Sequence, residues 1–183
     1  MAVLVMVGLL LARLPDLLRP TPSGGDFTLQ GGDGPVSLHD FTSRWVVLYF
    51  GFTTCPDYCP AALARWASLY QQLEVDEQAR LQVLFISLDG ERDSPQQTAD
   101  YAAYFHPAFV GASGDEAAIA AVATAYGVRY ERVVIDSALE YTIDHSTYSY
   151  LIDPQGALVE MFPDGMTVEE KTRRLRLRLQ TID

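Results

Sequence analysis

Two mostly apolar runs constrain this fold more than any other feature of the sequence. Trp45–Phe50 (WVVLYF) and Val83–Leu88 (VLFISL) show no alternation of apolar and polar residues. Such runs are typical of strands that are covered on both faces. Between them, Leu63, Trp66 and Leu69 recur at helical spacing and form the apolar stripe of a helix. Strands covered on both faces and separated by a helix indicate an α/β sandwich.

The remaining segments complete this fold class. Short alternating apolar pieces around glycines indicate an N-terminal hairpin, and Ser, Asp, Pro and Gly at the expected positions mark the ends of helices. The sequence predicts hairpin strands at Phe27–Leu29 and Val36–Leu38, helices from Pro60 to about Glu74, from Ser94 to about Phe105, from Asp115 to Tyr126 and over Thr167–Gln180, and a final hairpin of Tyr148–Ile152 and Leu158–Phe162. We therefore expect one domain over residues 26–183, with a mixed central sheet, flanking helices and an N-terminal hairpin.

The first 25 residues differ in character from the rest. Residues 1–12 are apolar throughout, but as a helix they would span about 18 Å, short of the roughly 30 Å hydrocarbon core of a bilayer. Prolines and glycines between residues 13 and 25 indicate a linker. A truncated membrane anchor or signal segment is one interpretation, and a hydrophobic helix packed on the domain is the other. We expect the first, which places residues 1–25 outside the fold.

Charge and cysteine content exclude two classes of protein. The chain has 183 residues, of which 49% are hydrophobic, and its 13 Lys and Arg against 24 Asp and Glu give a formal net charge of -11. Neutralising phosphates requires a basic surface, so the sequence argues against nucleic-acid binding. Two cysteines are too few for a disulfide-rich scaffold and are expected to act as one pair.

The chemistry is expected at Cys55 and Cys59. Cys55 follows the first buried strand, and the carboxyl end of a strand is a common place for a site in an open α/β sheet. Cys59 precedes Pro60 and so lies at or beside the N-cap of a helix, where first-turn N–H groups stabilise a thiolate. Two sulfurs at this spacing can share a metal ion or close a disulfide. The alternative is a pair of inert buried cysteines, which the proline-flanked loop disfavours.

Three histidines compete for the position of a third ligand. His106 precedes Pro107 at a predicted helix C-terminus, where an imidazolium complements the helix dipole. His39 follows a short strand and is expected in solvent. His145 lies just before the buried strand Tyr148–Ile152. From the residues alone, His145 fits a metal ligand and a core histidine equally well.

Acidic residues near the second buried strand offer oxygen atoms. Asp89 and Asp93 are placed to supply or support an axial oxygen at a metal. The structural alternative is that Asp93 caps the helix beginning near Ser94 and that Asp89 only ends a strand. Asp57, between the cysteines, would raise the thiol pKa values if it turned inward, so we expect it to face solvent.

Three motifs resemble those of the Sco/SenC family of copper-binding proteins, and they occur in the same order. They are GFTTCPDYCP after the first buried strand, ISLDGERDSP at the second and DHSTYSYLIDPQG near the end. The resemblance extends from about residue 27 to the C-terminus. It implies a thioredoxin-like fold, copper ligation by Cys55, Cys59 and His145, and an association of Asp89 with the site.

The resemblance also implies a role and a location. The role is that of a copper chaperone rather than an enzyme, which delivers copper to the dinuclear copper site of cytochrome c oxidase subunit II or reduces the cysteines of that site. The implied partners are this subunit and another copper chaperone. The implied location is the periplasm or the mitochondrial intermembrane space, and for this chain we expect the periplasmic face of the bacterial inner membrane, with the N-terminal segment as tether.

Ligand chemistry agrees with copper and leaves rivals open. Two thiolates and an imidazole suit Cu(I), and with a weak axial group they also suit Cu(II). Zinc is the rival metal, because two cysteines, one histidine and water form an accepted zinc set. The rival function is a thiol–disulfide oxidoreductase of the thioredoxin-like superfamily, although that class usually has C-x-x-C and not the C-x-x-x-C found here. A binding domain with a structural disulfide is a third possibility.

Overall fold

The computed structural model describes residues 22–180. Its strands are β1 (Thr28–Gly31), β2 (Gly34–Ser37), β3 (Trp45–Gly51), β4 (Leu81–Ser87), β5 (Val110–Ala112), β6 (Tyr130–Val134), β7 (Tyr141–His145), β8 (Tyr148–Ile152) and β9 (Leu158–Pro163). Its helices are α1 (Tyr58–Gln71), α2 (Val75–Ala79), α3 (Pro95–Phe105), α4 (Glu116–Ala125) and α5 (Val168–Leu179), with a 3-10 turn at Leu38–Phe41.

The central sheet is mixed, as the sequence predicts. Its five strands lie in the order β5-β4-β3-β8-β9. β3 pairs in parallel with β4 and antiparallel with β8. Trp45 faces Leu81 and Gly51 faces Ser87, so β3 and β4 end at the same edge of the sheet. The loops that follow these two strands, which carry the cysteines and the aspartates, therefore leave the sheet side by side.

Helices cover both faces of β3, which explains its lack of alternation. Every residue of β3 is buried. The Tyr49 ring stacks near Phe85, which contacts Tyr101 of α3. The next residue, Phe50, points the other way and packs on Tyr126 at the end of α4. Apolar side chains on both faces give the buried strand its continuous hydrophobic run.

Local capping chemistry places α3 and α4 as expected. Ser94 is the N-cap of α3 and its side chain accepts a hydrogen bond from Gln97 N–H, with Pro95 at the first helical position. Asp115 caps α4 in the same way. These contacts satisfy backbone donors that the first turn leaves free. Asp93 therefore does not cap α3, and the structural alternative given above for this residue is wrong.

Helix α1 begins earlier than its sequence suggests. It starts at Tyr58, with Asp57 at the N-cap, and ends at Gln71, whereas Pro60 and Glu74 were the expected limits. Cys59 consequently lies inside the first turn and not at its edge. Trp66 anchors the helix to the sheet, because its Nε1–H donates to Ser149 Oγ at 2.8 Å.

A second hairpin, β6–β7, has no counterpart in the sequence prediction. Its strands pair antiparallel, with Tyr130 opposite His145 and Val134 opposite Tyr141. The N-terminal hairpin β1–β2 is confirmed. Within residues 22–180, no helix is both long enough and apolar enough to cross a membrane. The apolar segment at residues 1–12 lies outside the described residues.

Candidate metal centre

The loop between β3 and α1 is held in place by a buried carboxylate. Thr53 donates its N–H to Asp93 Oδ2 at 2.7 Å and its hydroxyl to Asp93 Oδ1 at 2.6 Å. Ser87, the last residue of β4, donates to Asp93 Oδ2 at 2.6 Å. Asp93 is 1% exposed, so these three hydrogen bonds satisfy a carboxylate that water does not reach. Asp93 thus orients the cysteine loop against the end of β4.

Both cysteines are free thiols, and their sulfurs occupy different environments. Cys59 N–H donates to Cys55 Sγ at 3.4 Å, so the start of α1 points a backbone donor at Cys55. Cys59 itself is fully buried, whereas Cys55 is half-buried. Asp57 between them is exposed, as expected.

The two thiols have opposite pKa shifts. The pKa of Cys55 is lowered to about 5, first because the Cys59 side chain donates a hydrogen bond to its sulfur, and further by the N–H groups of Cys59 and Asp57 and by the charge of His145. The pKa of Cys59 is raised, because its thiol is the donor in that pair and because burial and the neighbouring Cys55 thiolate oppose a second negative charge. The thiolate stabilised at this helix start is therefore that of Cys55, and not that of Cys59 as expected from the sequence.

His145 brings a third donor atom to the cysteines. It is the last residue of β7, and its Nε2 lies 3.8 Å from Cys59 Sγ. Its Nδ1 lies 3.1 Å from the carbonyl oxygen of Ser146. A carbonyl oxygen only accepts, so Nδ1 carries a hydrogen, and in the neutral imidazole Nε2 is then the nitrogen with the lone pair. The Phe52 ring packs edge-on against the imidazole, with ring centroids 6.1 Å apart.

The other two histidines lie elsewhere. His39 is exposed on the 3-10 turn, with Thr42 beside its ring. His106 is the C-cap of α3 and packs on Tyr70, with ring centroids 4.6 Å apart. Its Nδ1 accepts a hydrogen bond from Ala108 N–H at 3.2 Å. His39 is thus exposed and His106 lies at a helix C-terminus, as the sequence predicts, but a nitrogen that accepts a hydrogen bond does not belong to the imidazolium expected at His106.

Asp89 does more than end a strand. It is 2% exposed, and its Oδ2 accepts from Arg92 Nε at 2.5 Å. Its Oδ1 accepts from the Tyr141 hydroxyl at 2.8 Å. Asp89 thus connects the loop after β4 to the first residue of β7, the strand that ends at His145.

The spacing of the donors can be compared with that of a bound metal. With metal–sulfur and metal–nitrogen bonds of about 2.3 and 2.0 Å, the sulfur and nitrogen are separated by about 3.5 Å in tetrahedral geometry and about 3.7 Å in trigonal geometry. The 3.8 Å between Cys59 Sγ and His145 Nε2 is close to the trigonal value. Within residues 22–180, no group of three or more His, Cys, Asp or Glu side chains already has the arrangement of a completed metal site. The chain of contacts from Cys55 to Cys59 to His145 nevertheless brings two thiols and an imidazole together.

The site opens to solvent beside Cys55. A cavity of about 600 Å³ borders Cys55 and His145, and its walls include Phe52, Tyr58 and Val133. Tyr58 is 60% exposed at the rim. A ligand or partner can therefore reach Cys55 and His145 from the space between the cysteine loop and the hairpin.

Some surroundings of the site were missed by the sequence analysis. These are the hairpin β6–β7 itself, the side chain of Tyr49, which is buried beside Cys59, and the side chains of Arg92 and Tyr141. The alternation of Tyr141, Ile143 and His145 around polar residues is a strand signal that could have revealed β7. The contacts of Arg92 with the hairpin join residues far apart in sequence and leave no such pattern.

A mixed sheet with a cysteine pair at the start of the first long helix defines a thioredoxin-like domain, and the nearby imidazole adds a third donor. The family model described as SCO1/SenC matches residues 16–180. The chain therefore belongs to the SCO1/SenC family, as its motifs indicate.

Relatives and solved structures support this assignment. The mitochondrial SCO2 homolog of Bos taurus is 38% identical over 164 residues, which are 88% of this chain and 62% of that protein. The crystal structure of Arabidopsis thaliana ScoI with copper bound has a TM-score of 0.81 at 32% identity and covers 87% of this chain and 99% of that one. Bradyrhizobium japonicum ScoI with copper bound has a TM-score of 0.75 at 34% identity, with 84% of this chain and 98% of that one covered. The chain thus spans less than two thirds of the length of the bovine protein.

Proposed function

We propose that this chain is a copper chaperone that binds copper through Cys55, Cys59 and His145. The observation that carries the proposal is the approach of His145 Nε2 to Cys59 Sγ at 3.8 Å, beside a Cys55 sulfur that the start of α1 favours as thiolate. Relatives of the same family, similar over most of this chain, have been solved with copper bound. We propose a chaperone and not an enzyme that acts on a small-molecule substrate.

The donor set fits copper in both oxidation states. Two soft thiolates with an imidazole suit three-coordinate Cu(I), and an additional weak ligand suits Cu(II). Asp93 is committed to Thr53 and Ser87, so we do not assign it as the axial oxygen. A water molecule in the open cavity would serve that position for Cu(II) or for zinc.

As a chaperone, the protein treats copper as cargo. We propose that it serves the dinuclear copper site of cytochrome c oxidase subunit II, receives copper from another copper chaperone and works at the periplasmic face of the bacterial inner membrane, tethered through residues 1–25. Membership in the SCO1/SenC family supports a role in copper delivery to cytochrome c oxidase. The position of Cys55 and His145 beside an open cavity supports exchange with a partner, since a partner thiolate can reach these two proposed ligands without entering the core.

Thiol–disulfide exchange is the second candidate function, and the pKa difference favours it. Cys55 is accessible and has a pKa lowered to about 5, as expected of an attacking thiol, whereas buried Cys59 is placed as the resolving thiol. The Cys55 thiolate would attack a partner disulfide and release one partner thiolate. Cys59 would then lose its proton and attack Cys55, which frees the second partner thiolate and leaves the chain oxidised by two electrons.

Copper titration of single variants tests the ligand assignment. Under anaerobic conditions, Cys55→Ser and Cys59→Ser should lose both Cu(I) and Cu(II). His145→Ala should greatly weaken Cu(II), which favours nitrogen ligands, and should weaken Cu(I) less, since two thiolates can hold it. His39→Ala and His106→Ala are the matched controls and should bind as the parent does. Full Cu(II) affinity and an unchanged thiolate charge-transfer band in His145→Ala would contradict the assignment, as would retention of stoichiometric Cu(I) by the disulfide form.

A further inference from the structure

The hairpin β6–β7 places His145 but has little core of its own. Four of the five residues of β6 are exposed, and an isolated two-stranded hairpin is at best marginally stable in water. Its position relative to the cysteines must therefore come from contacts with the rest of the domain. Ile143 of β7 is buried in the core, and we give the name latch to the polar part of these contacts, which is formed by Asp89, Arg92 and Tyr141.

Arg92 makes the connection between the loop after β4 and the hairpin. Its Nη1 donates to the carbonyl oxygens of Leu139 at 3.1 Å and of Tyr141 at 2.9 Å. Its Nε and Nη2 both lie 2.5 Å from Asp89 Oδ2. One guanidinium thus binds the buried carboxylate and the hairpin backbone together, for which the fixed fork of arginine is well suited.

Tyr141 closes the latch from the hairpin side. Its ring lies between two guanidinium groups, with Arg92 at 3.6 Å and Arg132 at 4.0 Å from the centroid. Its hydroxyl donates to Asp89 Oδ1 at 2.8 Å. Cation–π contacts of this kind add attraction on both faces of the ring. Arg132 is itself paired with Glu91 at 2.6 Å, so the loop after β4 contacts both strands of the hairpin.

We propose that Asp89, Arg92 and Tyr141 are positioning residues that hold β7 so that His145 faces the cysteines, and that Asp89 acts through this latch and not as a copper ligand. The proposal rests on the copper site proposed above. Both oxygens of Asp89 are already bonded, and Arg92 neutralises its charge. A carboxylate that is 2% exposed, bonded at both oxygens and paired with a guanidinium is a weaker ligand for a metal than a free one, because its charge is already compensated.

Double-mutant cycles separate the latch from a ligand role. Asp89→Asn, Arg92→Gln and Tyr141→Phe are each made alone and with His145→Ala, and Cu(II) affinity is measured by chelator competition. Substitution of a residue that orients a metal ligand typically lowers metal affinity by about 10–100-fold. We expect a loss in this range for Asp89→Asn and Arg92→Gln, a smaller one for Tyr141→Phe, and no further loss from any of them once His145 is absent. Cu(I) affinity should stay near that of the parent, and Arg174→Gln, which removes a charge from α5, should change neither.

A second measurement needs no copper. Hydrogen exchange of the metal-free protein should accelerate at the amides of β6 and β7 in the latch variants and stay unchanged in β3 and β4. If Arg92→Gln fails to fold, Asp89→Asn and Tyr141→Phe still decide the matter. The proposal is overturned if Asp89→Asn weakens Cu(II) additively with His145→Ala while Arg92→Gln has no effect, or if hairpin exchange is unchanged. If the parent protein binds no copper, the proposed function fails, and the exchange measurement alone decides whether the latch holds the hairpin.

Discussion

In the metal-free protein, Cys55 should be alkylated selectively and at a lower pH than a cysteine of ordinary pKa. With a pKa of about 5, Cys55 is about 99% thiolate at pH 7 and still about three quarters thiolate at pH 5.5. A thiol with a pKa near 8.5 is about 3% thiolate at pH 7 and about 0.1% at pH 5.5. Cys59 is fully buried and its pKa is raised, so it should not react under the same conditions.

The pH dependence is more informative than the rate at a single pH. Lowering the pKa of a thiol also lowers the intrinsic nucleophilicity of its thiolate, with a Brønsted slope of about 0.4–0.5, and this offsets most of the gain at pH 7. Below pH 7, however, an ordinary thiol loses about tenfold in rate for each pH unit, whereas Cys55 should hold its rate down to about pH 5. The assay is a brief pulse of iodoacetamide between pH 4 and 9 in the presence of a chelator, with the modified cysteine identified by mass spectrometry.

Two substitutions at Cys59 test the cause of the shift. The hydrogen bond from the Cys59 side chain is its largest contribution, so Cys59→Ala should move the inflection of Cys55 upward toward the ordinary range. Cys59→Ser is the matched control, because its hydroxyl can still donate and the backbone N–H remains. An inflection above pH 8 in the parent, preferential labelling of Cys59, or identical profiles in the two variants would refute the reasoning.

The core around the site and the copper equilibrium give three more expectations. In Gly51→Ala the added Cβ would lie 2.6 Å from Cys59 Sγ and 3.0 Å from Phe85, so urea denaturation should show a free energy of unfolding that is lower by about 1–3 kcal/mol. Gly165→Ala is the control, because that position has open space, and its free energy of unfolding should not fall. Lys171 is 1% exposed and its Nζ has no hydrogen-bond partner among the described residues, so Lys171→Met should raise the free energy of unfolding at pH 7 by about 1–3 kcal/mol. Burial lowers the pKa of Lys171 in the folded protein, so the unfolded chain binds this proton more tightly. The parent therefore gains stability as the pH rises toward 10.5, and the advantage of Lys171→Met should shrink over that range. A difference in the free energy of unfolding that stays constant with pH would count against this. Finally, Cu(I) affinity should fall on acidification because protons compete for the thiolates and the imidazole, and a flat pH profile would show that the ligand set is wrong.

Those parts of the fold that depend on local chemistry could be predicted from the sequence. β3 and β4 are buried on both faces, and their apolar runs carry that information directly. α3 begins at Pro95 after Ser94, where the capping residue and the proline specify a helix start by themselves. The start of α1 was misplaced by two residues because Tyr58 has no comparable local signal, and helix ends are the least determined part of such a pattern.

Strand β6 and its pairing with β7 could not be predicted, because β6 has no buried apolar face and distant polar contacts help to hold the hairpin, whereas β7 carries the alternation described above. Residues of β6 from Glu131 to Val134 are exposed, so no apolar face marks the strand. The hairpin is held by Arg92, which binds the carbonyl of Tyr141, 49 residues away in sequence. Thr53 and Asp93, 40 residues apart, order the cysteine loop in the same way. Hydrogen bonds between such distant positions leave no periodicity in the chain.

The choice of thiolate shows the same limit within the site. The sequence places Cys59 beside a helix start and therefore assigns the helix N–H groups to its sulfur. In the structure Cys59 is itself part of the first turn, so its N–H points outward to Cys55 Sγ. A difference of two residues in the helix start thus exchanges the roles of the two cysteines.

The unequal exposure of the proposed ligands sets an order for copper release. Cys55 and His145 border the open cavity of about 600 Å³, whereas Cys59 is fully buried beneath them. An incoming thiolate from a partner can approach copper through this cavity, where Cys55 and His145 are the ligands it meets, so it should displace one of these two before Cys59. His145→Ala removes a ligand on the open side and should speed release of Cu(I) to a competing dithiol, because two thiolates then hold the metal without the imidazole. Release from the parent and from His145→Ala at the same rate, measured by stopped-flow competition, would show that His145 is not the ligand whose departure limits exchange.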